Sequence, residues 1–112
     1  MDKNIAAMAS IFAAGPVGLR PHAKTHKCAA IARRQIAAGA HGITCAKVGE
    51  AEAMVGGGLR DILIANQVVG PRKIARLMSI AAAATITVAV DNALNVEELG
   101  ACLLYTSPSP RD

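Results

Sequence analysis

The stretch LRPHAKTHK, residues 19–27, gathers more ionisable chemistry than any other part of the chain. Read as extended backbone with side chains alternating in period two, it sends Arg20, His22, Lys24 and His26 to one face and Leu19, Pro21, Ala23 and Thr25 to the other. In a strand covered on both faces, four cationic or ionisable groups cannot be turned into apolar core without a large desolvation penalty. They require a solvated or ligand-filled cavity. A lysine in such a cavity, beside other cations and partly desolvated, has its pKa pushed down, which prepares the amine to attack a carbonyl. Schiff-base chemistry at Lys24 is the use this pattern suits. A plainer account, in which Lys24 snorkels from a strand end and the histidines satisfy backbone groups, carries about equal weight on these residues alone. Zinc does not fit. His22, His26 and Cys28 are acceptable ligands, but on a strand the two histidines lie ~13 Å apart at about 3.3 Å per residue, and Pro21 disfavours the helix that would bring them together.

The elements that must position this stretch follow from the punctuation of the chain. Short β-branched or apolar runs at residues 17–24, 42–45, 61–65 and 85–90 predict four strands. Ala-rich segments with Leu, Ile and Met at helical spacing predict helices over 28–38, 49–55 and 71–82, and the start of another over 92–99. An earlier helix is expected from Ile5, Met8 and Phe12. Pro71 suits a first helical turn, and Gly39 and Gly56 suit helix ends. QIAAGAHGITCA and MVGGGLRDILIA read as two copies of one helix-Gly-strand phrase, so the chain is built of βα repeats. DILIA and TITVAV read as apolar on both faces, so both faces of the sheet are expected to be covered, as in a parallel sheet whose crossovers are helices. The fold class is α/β. Doubly wound sheets and (β/α)8 barrels share this signal, although no G-x-G-x-x-G follows the first strand.

Composition narrows the function classes. A chain of 112 residues that is 53% hydrophobic and 18% charged has the apolar matter for a core. With only one Phe, one Tyr and no Trp, stacked-ring nucleic-acid platforms are close to excluded. The net charge of +4 is uneven, since no acid lies between Asp2 and Glu50 while Arg20, Lys24, Lys27, Arg33, Arg34 and Lys47 all do. An anionic small molecule, a nucleic acid or a solvated helix face would each account for that field. No apolar run reaches the ~18–20 residues of a membrane span, and residues 5–14 imitate a secretory segment only weakly. Three Cys without a C-x-x-C pair point to a reducing, cytoplasmic compartment.

Lesser candidates sit where strands end. Asn66 and Gln67 follow DILIA, Lys47 follows ITCA and Asp91 follows TITVAV, so these groups would ring one mouth of a parallel sheet, with helix capping the favoured role for Asp91. Glu50 and Glu52 open a helix, where the dipole favours acids. Residues 102–112, CLLYTSPSPRD, break the preceding periodicity with two Ser-Pro pairs and resemble the in-frame translation of a transposase-type sequencing-library adapter. The fold is therefore expected over 1–101, with 102–112 a non-native tail.

RPHAKTHK, followed by IARRQIAAGAHGITCAKVGEAEAM and DILIANQVVGPRKIARL, resembles the N-terminal barrel segment of the D-threonine aldolase and D-serine dehydratase family, pyridoxal-phosphate enzymes of the alanine-racemase-like fold type. The resemblance covers residues 1–99. It implies a partial (β/α)8 TIM barrel of about four βα units, incomplete at both ends, in which Lys24 forms the Schiff base with pyridoxal 5'-phosphate. The implied activity is a lyase reaction on a β-hydroxy D-amino acid, with His22, His26 and Asn66 as lesser cofactor-binding candidates. A divalent metal in the parent protein takes ligands outside this chain. Two departures matter: the T-P-x-L-x-x-D strand that opens family members is absent, and Ala46 stands where some aldolases carry Gln. The alternatives are an amino-acid racemase or a non-catalytic pyridoxal-phosphate-binding protein of the same fold and, more remotely, a basic nucleic-acid-binding module. The expected partner is a small D-amino acid, with neither nucleic acid nor membrane involved, a homodimeric parent left open, and the chain by itself inactive.

Overall fold

Ile43, Ile62 and Ile64 expose no surface, and the side chains that shield them explain the architecture. The computed structural model describes residues 2–13, 15–23 and 27–106. In chain order these form α1 (Asp2–Phe12), α2 (Ala29–Ala37), β1 (Ile43–Cys45), α3 (Val48–Gly56), β2 (Asp61–Ile64), α4 (Pro71–Ala81), β3 (Thr85–Val88) and α5 (Ala93–Thr106). The strands make one parallel sheet in the order β1-β2-β3, with Ile43 opposite Ile62 and Ile62 opposite Ile86. A parallel neighbour can be reached only through a crossover, which α3 and α4 provide. α4 shows how the sequence builds one: Pro71 takes the first turn, where its missing N–H costs nothing, and Ile74, Leu77 and Ile80 recur on one buried stripe.

Helices cover one face of the sheet. Alternate strand residues Ile43, Cys45, Ile62 and Ile64 join Val48, Ala51, Met54, Ile74 and Leu77 in a single core. Each large aliphatic side chain so buried contributes roughly 1.5–3 kcal/mol of transfer free energy. The other face is open over β2 and β3, where Thr85 and Thr87 are exposed and Asp61 and Leu63 half-buried, while Thr44 of β1 is buried beside residues 19–23. The expectation from TITVAV of two covered faces therefore does not hold for β3, whose pattern is a plain alternation.

Two expectations need correcting. Residues 17–24 do not form a strand within the described residues; 19–23 run alongside β1 and join it by the single bridge His22 to Thr44. The Leu19 carbonyl accepts from the His41 N–H at 2.6 Å, the Pro21 carbonyl from the Thr44 N–H at 2.8 Å, and the Ala23 N–H donates to the Thr44 carbonyl at 2.7 Å. Pro21 has no N–H of its own, which limits the pairing. Asp91 is not the cap of α5: the Asn92 side-chain oxygen accepts from the Asn95 N–H at 2.9 Å, and Asp91 holds the Asn92 amide at 3.0 Å. Gly56 is the last residue of α3, as expected of a helix end, and the left-handed turn after it is taken by Gly58 at φ +98°. α5 runs to Thr106, and Cys102 packs against the core.

Replacing Ile62 with Ala should lower the unfolding free energy by about 2–5 kcal/mol, the usual cost of such a truncation in a packed core. Urea denaturation measures it. An unchanged midpoint would mean that the sheet is not packed against α3 and α4 as described.

Candidate active site

Strand register arranges the open face in rows. His22, Thr44, Leu63 and Thr87 are mutual register partners and lie level across the sheet. Asp61 and Thr85 stand one pleat toward the N-terminal ends. One pleat toward the C-terminal ends come Ala46, Ala65 and Ala89. The ladder reaches them, because the Ala65 N–H donates to the Cys45 carbonyl at 2.9 Å and the Ala89 N–H to the Ile64 carbonyl at 3.2 Å. Period-two alternation then gives these alanines the same face as Thr44, Leu63 and Thr87. The C-terminal margin of the open face is thus lined by methyl groups alone. In parallel α/β proteins this is the end at which sites assemble.

At the same end, between α3 and α4, lies a cavity of about 370 Å³ whose polar lining is Lys47, Glu50, Asn66, Gln67, Lys73 and Arg76. Glu50 is held there by structure, since its Oε1 accepts from the Ala46 N–H at 2.8 Å and so closes the turn into α3. Arg76 is tied to Glu52 by two hydrogen bonds, Nε to Oε2 at 3.0 Å and Nη2 to Oε1. That pairing holds the Glu52 carboxyl below its ordinary range, chiefly through the hydrogen bond from Arg76. The stability it adds is present above the ordinary carboxylate pKa and fades as pH falls through the lowered one.

The sequence candidates are partly brought together. Asn66 lines the cavity between α3 and α4, its Oδ1 accepting from the Gln67 N–H at 3.0 Å. His22 does not share that cavity; it lines a separate crevice of about 380 Å³ with Ile5 and Met8 of α1 and Leu19 and Pro21. Lys24 and His26 lie outside the described residues. Arg20, expected to face a ligand cavity, is instead paired with Asp61, Nη2 to Oδ1 at 2.9 Å. Asp61 also lies 3.7 Å from Nε2 of His41. Lys73 and Arg76 went unnoticed as lining residues, because charges on the solvent side of an amphipathic helix read the same whether or not a cavity lies beside them. Cys45 is no nucleophile: burial, aided by Glu50, pushes its thiol from the ordinary 9.0 up to about 11.

No family model matches the chain. The D-threonine aldolase of Arthrobacter sp is 48% identical over 103 residues, covering 92% of this chain and 27% of that protein. The crystal structure of the D-threonine aldolase from Filomicrobium marinum superposes with a TM-score of 0.89 at 44% identity, over 92% of this chain and 28% of that one. Over this stretch the chain is homologous to D-threonine aldolases. Two further relatives are the 3-hydroxy-D-aspartate aldolase of Paracoccus denitrificans, 38% identical over 90% of this chain, and the D-threo-3-hydroxyaspartate dehydratase of Delftia sp. (strain HT23), 48% identical over 58% of it. The chain spans about 27% of the length of the curated aldolases it matches. Among the described residues, no helix is long and apolar enough to cross a membrane.

A thiol reagent at pH 8 should leave Cys45 unmodified in the folded chain and label it once denaturant is added, as peptide mass spectrometry would show. The raised thiol pKa also fixes a sign. Its contribution to stability is complete below the ordinary value of 9.0 and is lost as pH climbs through about 11. Rapid labelling of native Cys45 at pH 8 would contradict its burial.

Proposed function

We propose that the protein to which this chain belongs is a pyridoxal-phosphate-dependent lyase acting on β-hydroxy D-amino acids, with Lys24 as the residue that carries the cofactor. The supporting observation is the open sheet face itself. Residues 19–23 lie along it and lead directly into Lys24, and its C-terminal margin is the row Ala46, Ala65 and Ala89. Three methyl groups leave room for a flat ring, where larger side chains would fill the mouth. The residues present fit the group in that sense.

When bound, pyridoxal phosphate supplies an electron sink for the carbanion. The chain's own part is to bind and to orient. Lys24 supplies the amine, and His22, His26 and Asn66 are assigned to the rim around it. Asn66 has its side-chain oxygen engaged by the Gln67 N–H, so its amide nitrogen is the group it can offer to a ligand. No metal ligand is assigned within this chain, and a divalent metal of the parent is proposed to take its ligands outside it.

The architecture we infer is part of a (β/α)8 barrel, about four βα units with residues 19–23 as the first stave. Helices on one side only, and parallel strands with a bare opposite face, are what a barrel wall looks like from its inside. Residues 1–101 are assigned to that barrel. We assign the protein to the cytoplasm, on three Cys without a C-x-x-C pair, and its partner is a small D-amino acid. Aldol cleavage is the reading we favour, because the aldolases match over nine-tenths of the chain. Dehydration is the second reading, on the strength of the Delftia relative. Glycine plus an aldehyde marks the first; a 2-oxo acid plus ammonia marks the second.

The test is made on the full-length protein. Borohydride treatment in the presence of pyridoxal phosphate should fix the cofactor to Lys24, and Lys24→Ala should abolish both the labelled peptide and turnover of D-threonine. Label retained by the Ala variant, or carried by another lysine in the unmodified protein, would defeat the assignment.

A further inference from the structure

Arg20 reaches across β1 to the first residue of β2. Its Nη2 donates to Oδ1 of Asp61 at 2.9 Å, and Nη1 lies 3.4 Å from the carbonyl oxygens of both Ile43 and Asp61. The Arg20 side chain is 22% exposed and that of Asp61 35%, so the pair is partly shielded from solvent. Its path runs over Gly42. A Cβ there would stand 2.4 Å from Nη1, 2.9 Å from Cζ and 2.7 Å from the Asp61 carbonyl oxygen, so no other residue fits beneath the arginine. Arg20, Gly42 and Asp61 thus act as one unit across three neighbouring chain segments.

That unit sits where the backbone is least able to fix itself. The segment 19–23 meets β1 through one bridge, and Pro21 contributes no N–H to the pairing. Few backbone bonds leave register weakly specified. A planar fork with bonds to two successive segments, by contrast, can be satisfied at only one height. We infer that Arg20, Gly42 and Asp61 form a register lock, and that Arg20 and Asp61 are positioning residues that fix the register of segment 19–23, the stretch that precedes Lys24 in the sequence. Arg20 stands four positions before Lys24 and is bonded to Ile43 and Asp61, so its assigned role is to position rather than to react. The assignment of Lys24 rests on the proposed function; the lock itself rests on geometry alone.

The experiment uses the full-length protein and two variants that damage the lock differently. Arg20→Lys keeps the charge but loses the fork, while Gly42→Ala keeps every polar group and displaces the guanidinium. Amide hydrogen exchange is followed at His41, Thr44 and Ala23, the three donors joining segment 19–23 to β1, and at Ala65 and Ala89 as internal controls. The borohydride-fixed fraction at Lys24 is measured at a fixed concentration of pyridoxal phosphate. Both variants should speed exchange at the three joining amides at least tenfold with the controls unchanged, and should lower the fixed fraction several-fold. Unchanged exchange at the joining amides, or equal acceleration everywhere, would overturn the lock. Faster exchange with undiminished fixation would overturn its positioning role. If Lys24 in the unmodified protein takes no label, the functional reading fails, while the exchange result still decides whether the lock exists.

Discussion

Side chains on a strand alternate, and here that alternation divides a sheet into a face that must be dry and a face that must not. Ile43, Cys45, Ile62 and Ile64 go to the dry side and bind the sheet to α3 and α4. Once they are committed, every intervening residue is delivered to the other side whatever its chemistry. Thr44, Leu63 and Thr87 arrive there together because the register is parallel and exact. A one-residue slip in any strand would exchange the two sets, which the buried isoleucines forbid. The hydrophobic layer on the back of the sheet thereby holds the chemistry on its front.

How much of this the sequence discloses depends on whether a signal is local. Helical periodicity and β-branched runs are local, so three strands and α2, α3 and α4 can be read with boundaries close to those observed, together with the presence of α1 and the start of α5. The segment 19–23 could not, because whether an extended run becomes a strand depends on its neighbour's donors as well as its own, and Pro21 withdraws one. The fate of Arg20 is non-local in the same way. Its alternation places it correctly on the open face, but nothing in the sequence announces that Asp61, 41 residues on, will meet it. Asn92, not Asp91, became the cap of α5 by a shift of one position, where two adjacent side chains have nearly equal capping strength.

The candidate site shows the same division. Asn66 was legible because polar residues just after a parallel strand fall at the productive end of the sheet. Lys73 and Arg76 were not, since their place beside a cavity depends on how α3 and α4 pack. Resemblance filled a different gap. The RPHAKTHK string carries family information that spacing alone does not, and it pointed to the aldolases that the comparisons then identified.

Asn95 ties the two halves of the chain together in a way that bears on how it is made. Buried in the first turn of α5, it donates from Nδ2 to the Val68 carbonyl at 3.0 Å, fixing the segment that follows Asn66 and Gln67. Asn95 comes 27 residues after Val68. On a ribosome the loop after β2 would emerge, wait and remain unfixed until α5 had followed it out. One rim of the mouth is therefore completed late in synthesis, by a residue that belongs to neither of the elements the loop connects.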